Sequence, residues 1–324
     1  MSDNNFANPA IDPKNEFSIE DDVETTNTKS YSQGQLVLRR FLRHKAAMIS
    51  LVVLAIILLL AFTSIGWGPI PGWWPKNYVD PFDIVNEARP TIQFFPPSLG
   101  EHPFGQNTIG KDYFALVMRG MQQSLFVAAT VGVIATVIGT AIGAMAGYFR
   151  GLIEAFLMRV TDLFIIIPLL VLAAVLGRMF GGNIVMLALV LALVSWTGLA
   201  RLVRGEVLSL REREFVMAAR ALGTPAPRII VRHILPNALG TIVVNATLLI
   251  SAAILTETAL SFLGFGVRAP DTSLGLLVSE YQNALTTRPW LFWIPGMFIL
   301  VISLCVNFIG DGLRDAFDPR QQMD

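Results

Sequence analysis

A single cysteine, Cys305, is present in the whole chain, and only three histidines accompany it. One thiol excludes an internal disulfide and a cysteine-rich metal site, and within its apolar run Cys305 reads as a small buried hydrophobe. His44, His102 and His233 are dispersed without ligand spacing, so no metal set is expected. Charge is scarce as well, at 15% of residues against roughly 25% in soluble domains. Acids and bases balance at 24 each, which leaves no basic field to attract nucleic acid. Paired catalytic groups at helical spacing, which an intramembrane hydrolase needs, are missing. A proton-driven carrier wants several ionisable groups at bilayer depth, and here Glu257 stands almost alone. The expectation is a chain that is not an enzyme and holds no cofactor.

What the chain has is apolar length, with 53% hydrophobic residues. Crossing the hydrocarbon takes about 20 mostly apolar residues. Five charge-free runs reach that length: Ala46 to Gly66, Met121 to Phe149, Met179 to Ala200, Ile234 to Thr256 (continuing past Glu257 to about Gly264), and Pro289 to Gly310. A sixth, Leu163 to Gly177, reaches it if its helix starts near Ile153 and carries Arg159 and Asp162 in its first turns. The fold class is an all-α polytopic membrane protein with six transmembrane helices. Pro168 and Pro295 lie inside the third and sixth spans and predict kinks.

Lysine and arginine near span ends are held on the cytoplasmic side. Arg39, Arg40, Arg43, Lys45, Arg150, Arg159 and a dense set from Arg201 to Arg232 fall on one side. Lys76, Arg89, Lys111, Arg119, Arg178, Arg268 and Arg288 are scattered on the other. Both termini are therefore expected inside. Residues 1–45 form a tail ahead of the first span at 46–66, its first 34 residues acidic, polar and without apolar periodicity, and 311–324 form a second tail. No basic start with a close apolar core marks a cleaved signal, so the first span reads as a retained anchor.

The outer segment, 67–120, contains GQNTIGKD from Gly105 to Asp112, which nearly spells the phosphate loop of nucleotide-binding proteins. Asp112 stands where a hydroxyl would hold magnesium, and the preceding FFPPSLGEHPF is too rich in proline to be a central strand. The segment is read as no nucleotide site. Trp67, Trp73 and Trp74 suit the headgroup layer of the bilayer.

Gly139, Gly143 and Gly147 recur four apart in the second span, with Ala135 one step earlier on the same face, the spacing of a close helix seam in lipid. Glu257, flanked by Thr256 and Thr258, is costly at bilayer depth. It faces either a protein interior or water path, or the outer end beside water or a partner helix. Asn245 and Asn307 pose the same question more weakly, and Asn245 and Glu257 are the candidate substrate-path residues.

The most informative stretch is REREFVMAARALGTPAPRIIVRHILPNALG, Arg211 to Gly240, between the fourth and fifth spans. It reads as two short helices joined at Gly223. Glu212 and Glu214 suit a first turn, and the alanines carry that helix to the glycine stop. Thr224 is expected to cap the next helix with Pro225 at its first position, and Pro236 to end or bend the chain into span five. The product is a small-residue knob ringed by Arg211, Arg213, Arg220, Arg228 and Arg232. Its chemistry fits either a docking surface for another protein or an amphipathic helix on anionic membrane lipid.

This segment resembles the E-A-A, three residues, Gly, nine residues, I-x-L-P loop of ABC importer permeases. Ala218, Ala219, Gly223, Leu235 and Pro236 fall in its places, with Met217 replacing the usual Glu and His233 the usual Ile. Over residues 36 to 320 the chain is similar to the second permease subunit of dipeptide and oligopeptide importers. HPFGQNTIGKD, AGYFRG, ARLVRGEVLSLREREFVMAARALG, RHILPN, ETALSFLGFGV and GDGLRDAFDPR follow that family's order, with Asn107 and Lys111 replacing Asp and Arg. The resemblance implies a type I ABC importer permease core over 121–320 with a cytoplasmic coupling loop at about 201–236. Its coupling residues would be Glu214, Ala218, Ala219, Gly223, Leu235 and Pro236. It further implies a homologous permease partner in a heterodimer, two ATP-binding subunits that carry out hydrolysis, an extracytoplasmic substrate-binding protein, and a bacterial cytoplasmic (inner) membrane location. Peptides are the implied substrate, with nickel, glutathione or haem as alternatives within the same machinery.

Overall fold

The computed structural model describes residues 33–94, 97–179 and 182–317. Most of the acidic tail, the last residues of GDGLRDAFDPR and the end of the chain lie outside these residues. Residues 33–43, read above as part of the tail, instead form helix α1 (Gln33–Arg43), which packs against the far end of the chain. Helix α2 (Lys45–Ser64) follows at once. Its N-cap is His44, whose Nδ1 accepts the Ala47 N–H at 3.1 Å. Among the described residues, five helices are long and apolar enough to cross a membrane, and the number is six if one bent pair counts as a single span.

After α2 the chain builds a small cap with two two-stranded antiparallel ribbons, β1 (Gly66–Trp67) with β2 (Ile70–Pro71) and β3 (Gln93–Phe94) with β4 (Pro97–Ser98). Helix α3 (Tyr113–Phe149) then begins well ahead of the apolar run at Met121, because Asp112 caps it. Helices α4 (Gly151–Ile166) and α5 (Leu169–Met179) form the bent pair, turning by 84°. The break sits at Ile167 and Pro168. Proline supplies no N–H to the carbonyl four residues back and pushes the residue before it out of the helical region. Ile167 has φ −80° and ψ 124° accordingly. Pro295 behaves differently. Its helix, α12 (Trp290–Phe317), runs through it without a break. The Leu291 carbonyl, which a proline four residues later cannot serve, accepts the Tyr113 hydroxyl instead.

The fourth span starts at Asn183, not in the run after Met179, since Asn183 Oδ1 accepts the N–H groups of Val185 and Met186. Helix α6 (Ile184–Ser195) leads into α7 (Thr197–Arg211) with the ladder interrupted at Trp196, whose indole N–H donates to the Leu193 carbonyl at 2.9 Å. Helices α8 (Glu214–Ala221) and α9 (Ala226–Ile229) follow, then a π turn over Ile230–Ile234 and helix α10 (Leu235–Phe262). Pro236 stands in the first turn of α10, where a missing N–H costs little. Just before it, Leu235 N–H reaches back to the Ile230 carbonyl in the wider π turn. Helix α11 (Leu274–Tyr281) sits between α10 and α12.

The main core joins α2, α3, α6, α10, α11 and α12 around Tyr113, Met121, Leu191, Ile254, Leu277 and Leu291. The tightest seam is α3 on α7. A Cβ on Gly139, Gly143 or Gly147 would lie 2.8, 2.5 and 2.8 Å from the carbonyl oxygens of Trp196, Ala200 and Arg204, themselves four apart. The spacing read from the sequence is thus a helix contact that leaves no room for a methyl group. Gly143→Ala should cost about 1–3 kcal/mol by overpacking and lower the thermal midpoint of the detergent-solubilised protein. Gly205→Ala, which meets nothing within 4 Å, should not lower it.

Candidate functional site

Three clusters of polar or small residues lie outside the apolar core. The first is the cap around GQNTIGKD. Asp112, fully buried, accepts the Phe114 and Ala115 N–H groups through Oδ1 at 2.9 and 3.4 Å and the Trp74 indole N–H through Oδ2 at 2.8 Å. His102 Nδ1 lies 3.7 Å from the same Oδ2, and Lys76 Nζ lies 2.8 Å from His102 Nε2. An ammonium only donates, so Nε2 accepts and the ring proton sits on Nδ1, toward Asp112. Asn107 Oδ1 accepts the N–H groups of Ile109 and Lys111, and its amide donates to the Tyr281 hydroxyl at 3.2 Å. The loop holds its own backbone and α3, and no cradle of free N–H groups is left for phosphate. Trp67 and Trp73 are exposed as a headgroup belt requires, whereas Trp74 is committed to Asp112.

Burial holds His102 below its ordinary value of 6.5, with the Lys76 cation adding to the effect and Asp112 opposing it. Burial likewise pushes Asp112 upward, against the hydrogen bonds from Trp74 and the helix N-terminus.

The second cluster surrounds Glu257. Its side chain is fully buried where α3, α10 and α11 meet. Ser124 donates to Oε2 at 3.1 Å and Ser261 to Oε1 at 2.7 Å. Ser124 Oγ also accepts the Leu274 N–H at 3.2 Å, and Ser273 caps α11 through the Leu276 N–H at 3.1 Å. Nearby, Arg119 binds Asp271 Oδ1 through Nη2 at 2.8 Å and Nε at 3.1 Å, joined by the Gln123 amide at 3.1 Å. Glu257 therefore faces a protein interior and pins α11 to α3. It does not line an open cavity in this chain. Asn245 is half-buried and spends its amide on the Thr241 carbonyl at 2.8 Å, so the two candidate path residues are not brought together. Sequence reasoning passed over Arg119, Ser124, Asp271 and Ser273. The polar run Arg119 to Ser124, broken only by Gly120 and Met121, was the signal that α3 carries a buried polar face there.

The third cluster is the knob. Val216 and Ala219 of α8 turn inward onto Tyr148, Val203, Val207 and Ile230, while Met217, Ala218, Leu222 and Gly223 are exposed. Of the two alanines in the motif only Ala218 presents itself outward. Gly223, at φ +75°, closes α8 by a pair of hydrogen bonds: its N–H to the Arg220 carbonyl at 3.0 Å, and Thr224 N–H to the Ala219 carbonyl at 3.1 Å. This is a Schellman closure, which calls for glycine at the left-handed position. Thr224, whose backbone serves this closure, gives α9 no side-chain cap; Pro225 stands at the N-cap and Ala226 opens the helix. Glu214 is exposed in the first turn of α8, Leu235 is half-buried in the π turn's end, and Pro236 is exposed. Arg211 binds the Tyr148 carbonyl, and Arg211 and Arg220 stack on the Tyr148 ring at 5.7 and 5.6 Å. Arg150 ties the far end of α3 to Glu212 at 2.7 Å. The knob is thus rigidly seated on the ends of α3 and α7, with an apolar and small-residue tip left uncovered.

Residues 139–323 match the family described as binding-protein-dependent transport system inner membrane component. The chain belongs to this family. Residues 32–90 also match the N-terminal TM domain of oligopeptide transport permease C. The chain is 40% identical over 294 residues to the oligopeptide transport system permease protein OppC of Mycobacterium bovis, covering 90% of this chain and 96% of that protein. The proteins of the same name from Haemophilus influenzae and Escherichia coli K12 are 36% and 35% identical, each over 96% of this chain and over 97% and 99% of their own lengths. Among solved structures, a chain of the MetNI methionine ABC transporter in an inward-facing conformation aligns over 63% of this chain and 96% of its own, with TM-score 0.52 and 20% identity. That likeness shows the fold of an ABC importer permease. The protein is a multi-pass inner-membrane permease subunit.

The fold favours neutral His102, so its contribution to stability is complete above 6.5 and is lost as pH falls from 6.5 toward the lowered folded value. The protection of the Phe114 and Ala115 amides, relative to their intrinsic exchange rates at each pH, should therefore fall as pH drops below 6.5. His102→Gln should flatten that dependence.

Proposed function

We propose that this permease forms half of the translocation path of an ATP-driven importer of di- or oligopeptides. A homologous permease supplies the other half, two ATP-binding subunits grip the inner loops, and a binding protein delivers substrate outside. The observation that carries this reading is the uncovered tip of the knob. Met217 is 49% and Leu222 86% exposed, beside Ala218 and Gly223 with no side chain to keep a partner away from the backbone. Exposed apolar groups rimmed by arginine fit a protein partner. Membrane lipid is the rival surface, but apolar side chains at the far tip of a turn seated on two helix ends suit a socket better than a sheet. The peptide substrate is supported by the names of the relatives at 35–40% identity.

The basic bias from Arg201 to Arg232 supports a cytoplasmic knob, and with it two cytoplasmic termini. ATP closure of the paired motors would then be felt at α8. Because α8 is sealed by Gly223 and bolted to Tyr148, a push on it moves the ends of α3 and α7 as one body. Leu235 and Pro236 link the same push to α10 through the π turn.

Gly223 has open space around it, so the cost of replacing it is its backbone conformation and any clash with the partner. Asparagine tolerates that conformation; larger residues lose about 1 kcal/mol or more there. In the complete complex Gly223→Asn should keep peptide uptake. Gly223→Trp should abolish uptake while ATPase activity persists uncoupled from it, and uptake that survives Gly223→Trp contradicts the coupling role.

A further inference from the structure

Two cavities lie away from the cap, the Glu257 cluster and the knob, and they fall on one groove. The first, about 270 Å³, opens at the α4–α5 break, with Ile167, Pro168, Ser195, Thr197, Ala252 and Thr256 among its walls. The second, about 430 Å³, is lined by Gly151, Glu154, Met158, Asp162, Arg201 and Arg204. On α4 the lining residues Gly151, Glu154, Met158, Asp162 and Ile165 recur at three- and four-residue steps, and on α7 Thr197, Arg201 and Arg204 do the same. Each set is a single helix stripe. The two cavities therefore lie end to end along α4 and α7, the first walled also by α5, α6 and α10, with Thr197 and Arg201, one turn apart, between them.

The first cavity lies where two spans lose their regular ladder, α4–α5 at Pro168 and α6–α7 at Trp196. Pro168 leaves the Phe164 carbonyl without its usual donor, and the ends of α4 and the start of α5 leave further N–H and C=O groups without intrahelical partners. At membrane depth such backbone is tolerated only against protein or a water-filled cavity. The hydroxyls of Ser195, Thr197 and Thr256 share the space, and none of the lining residues is charged. Apolar walls set with neutral donors and acceptors match the main-chain amides of a peptide and ignore the charge of its side chains. Broken spans around a midplane site serve this purpose in other transporters.

The second cavity carries two ion pairs across the groove, Arg204 Nε with Glu154 at 2.7 Å and Arg201 with Asp162 at 2.5 Å. These pairs lie toward the ends of α4 and α7 that carry the inner-side basic residues, and their side chains are partly exposed. Two acids and two bases sum to zero, so cargo of either sign can pass.

We propose that the α4–α7 groove is this subunit's share of the peptide path, with the break cavity binding substrate main-chain amides. The assignment rests on the peptide reading above. It adds residues to the candidate path beside Asn245, which is half-buried, and Glu257, which is fully buried.

The test uses the complete complex in vesicles, with Cys305→Ser removing the native thiol. Thr256→Cys and Met158→Cys place a probe in each cavity, and Val133→Cys, on an exposed face of α3 outside the groove, serves as control. A small water-soluble thiol reagent is applied with and without saturating trialanine and ATP. Trialanine should slow labelling at 256 and 158 roughly tenfold, equivalent to about 1.4 kcal/mol, and leave 133 unchanged. Undiminished labelling at 256 in vesicles that accumulate trialanine overturns the proposal while leaving the peptide reading intact. Vesicles of the unaltered complex that accumulate no peptide sink the peptide reading, and this assignment with it. Independently, Ala252→Trp should fill the first cavity and cut trialanine uptake at least as much, with the ATPase subunits still bound; unchanged uptake contradicts the assignment. Should that variant fail to assemble, the labelling result decides.

Discussion

The close contact of α3 with α7 is the constraint on which the other features depend. Gly139, Gly143 and Gly147 bring the backbone of α3 onto three successive carbonyls of α7. No hydrophobic effect draws helices together in lipid, so the gain comes from close van der Waals packing. The contact gives α7 three jobs: one face packs on the glycine seam, the same face carries Val203 and Val207 into the cluster beneath the knob, and another face presents Thr197, Arg201 and Arg204 to the groove. On the proposed coupling, a force on the knob would reach the wall of the groove through α7.

A second constraint is that every backbone polar group inside a membrane needs a partner. The chain meets it with local substitutes wherever the ladder fails. Tyr113 serves the carbonyl freed by Pro295, the Trp196 indole serves Leu193, and Pro236 stands in a first turn, where its missing N–H costs little. Only at Pro168 is the failure large, with an 84° bend and a cavity beside it. Three prolines in helical spans thus have three outcomes, decided by their place in the helix and by what stands near the orphaned carbonyl.

The glycine seam, the Pro168 break, the knob and its arginine ring were all legible in the sequence, because each is a local pattern of period or residue chemistry. The beginning of α3 was not. Asp112 looked like a failed phosphate-loop residue, and its role as a helix cap depends on Trp74 and His102 arriving from other parts of the chain. Glu257 was recognised as exceptional, yet its partners Ser124 and Ser261 sit 133 and 4 residues away, and only the fold shows that both converge on it. The groove was illegible for a similar reason. Arg201 and Arg204 read only as part of a dense inner basic set, Asp162 as a charge at the start of a span, and Glu154 went unread, until α4 and α7 are placed side by side. Pro236 was expected to end or bend the chain into span five, and the π turn just before it, a local widening of the helix, leaves no mark in composition.

The central claim is that the knob projects into the cytosol and mates with a separate motor. A single cysteine at Leu222, in a chain with Cys305→Ser, reports on both halves of it when challenged with a membrane-impermeant thiol reagent. The account predicts labelling in inside-out vesicles stripped of the ATP-binding subunits, protection when those subunits are restored, and no labelling in intact cells. Labelling from outside the cell, or labelling that is indifferent to the bound motor, would contradict it.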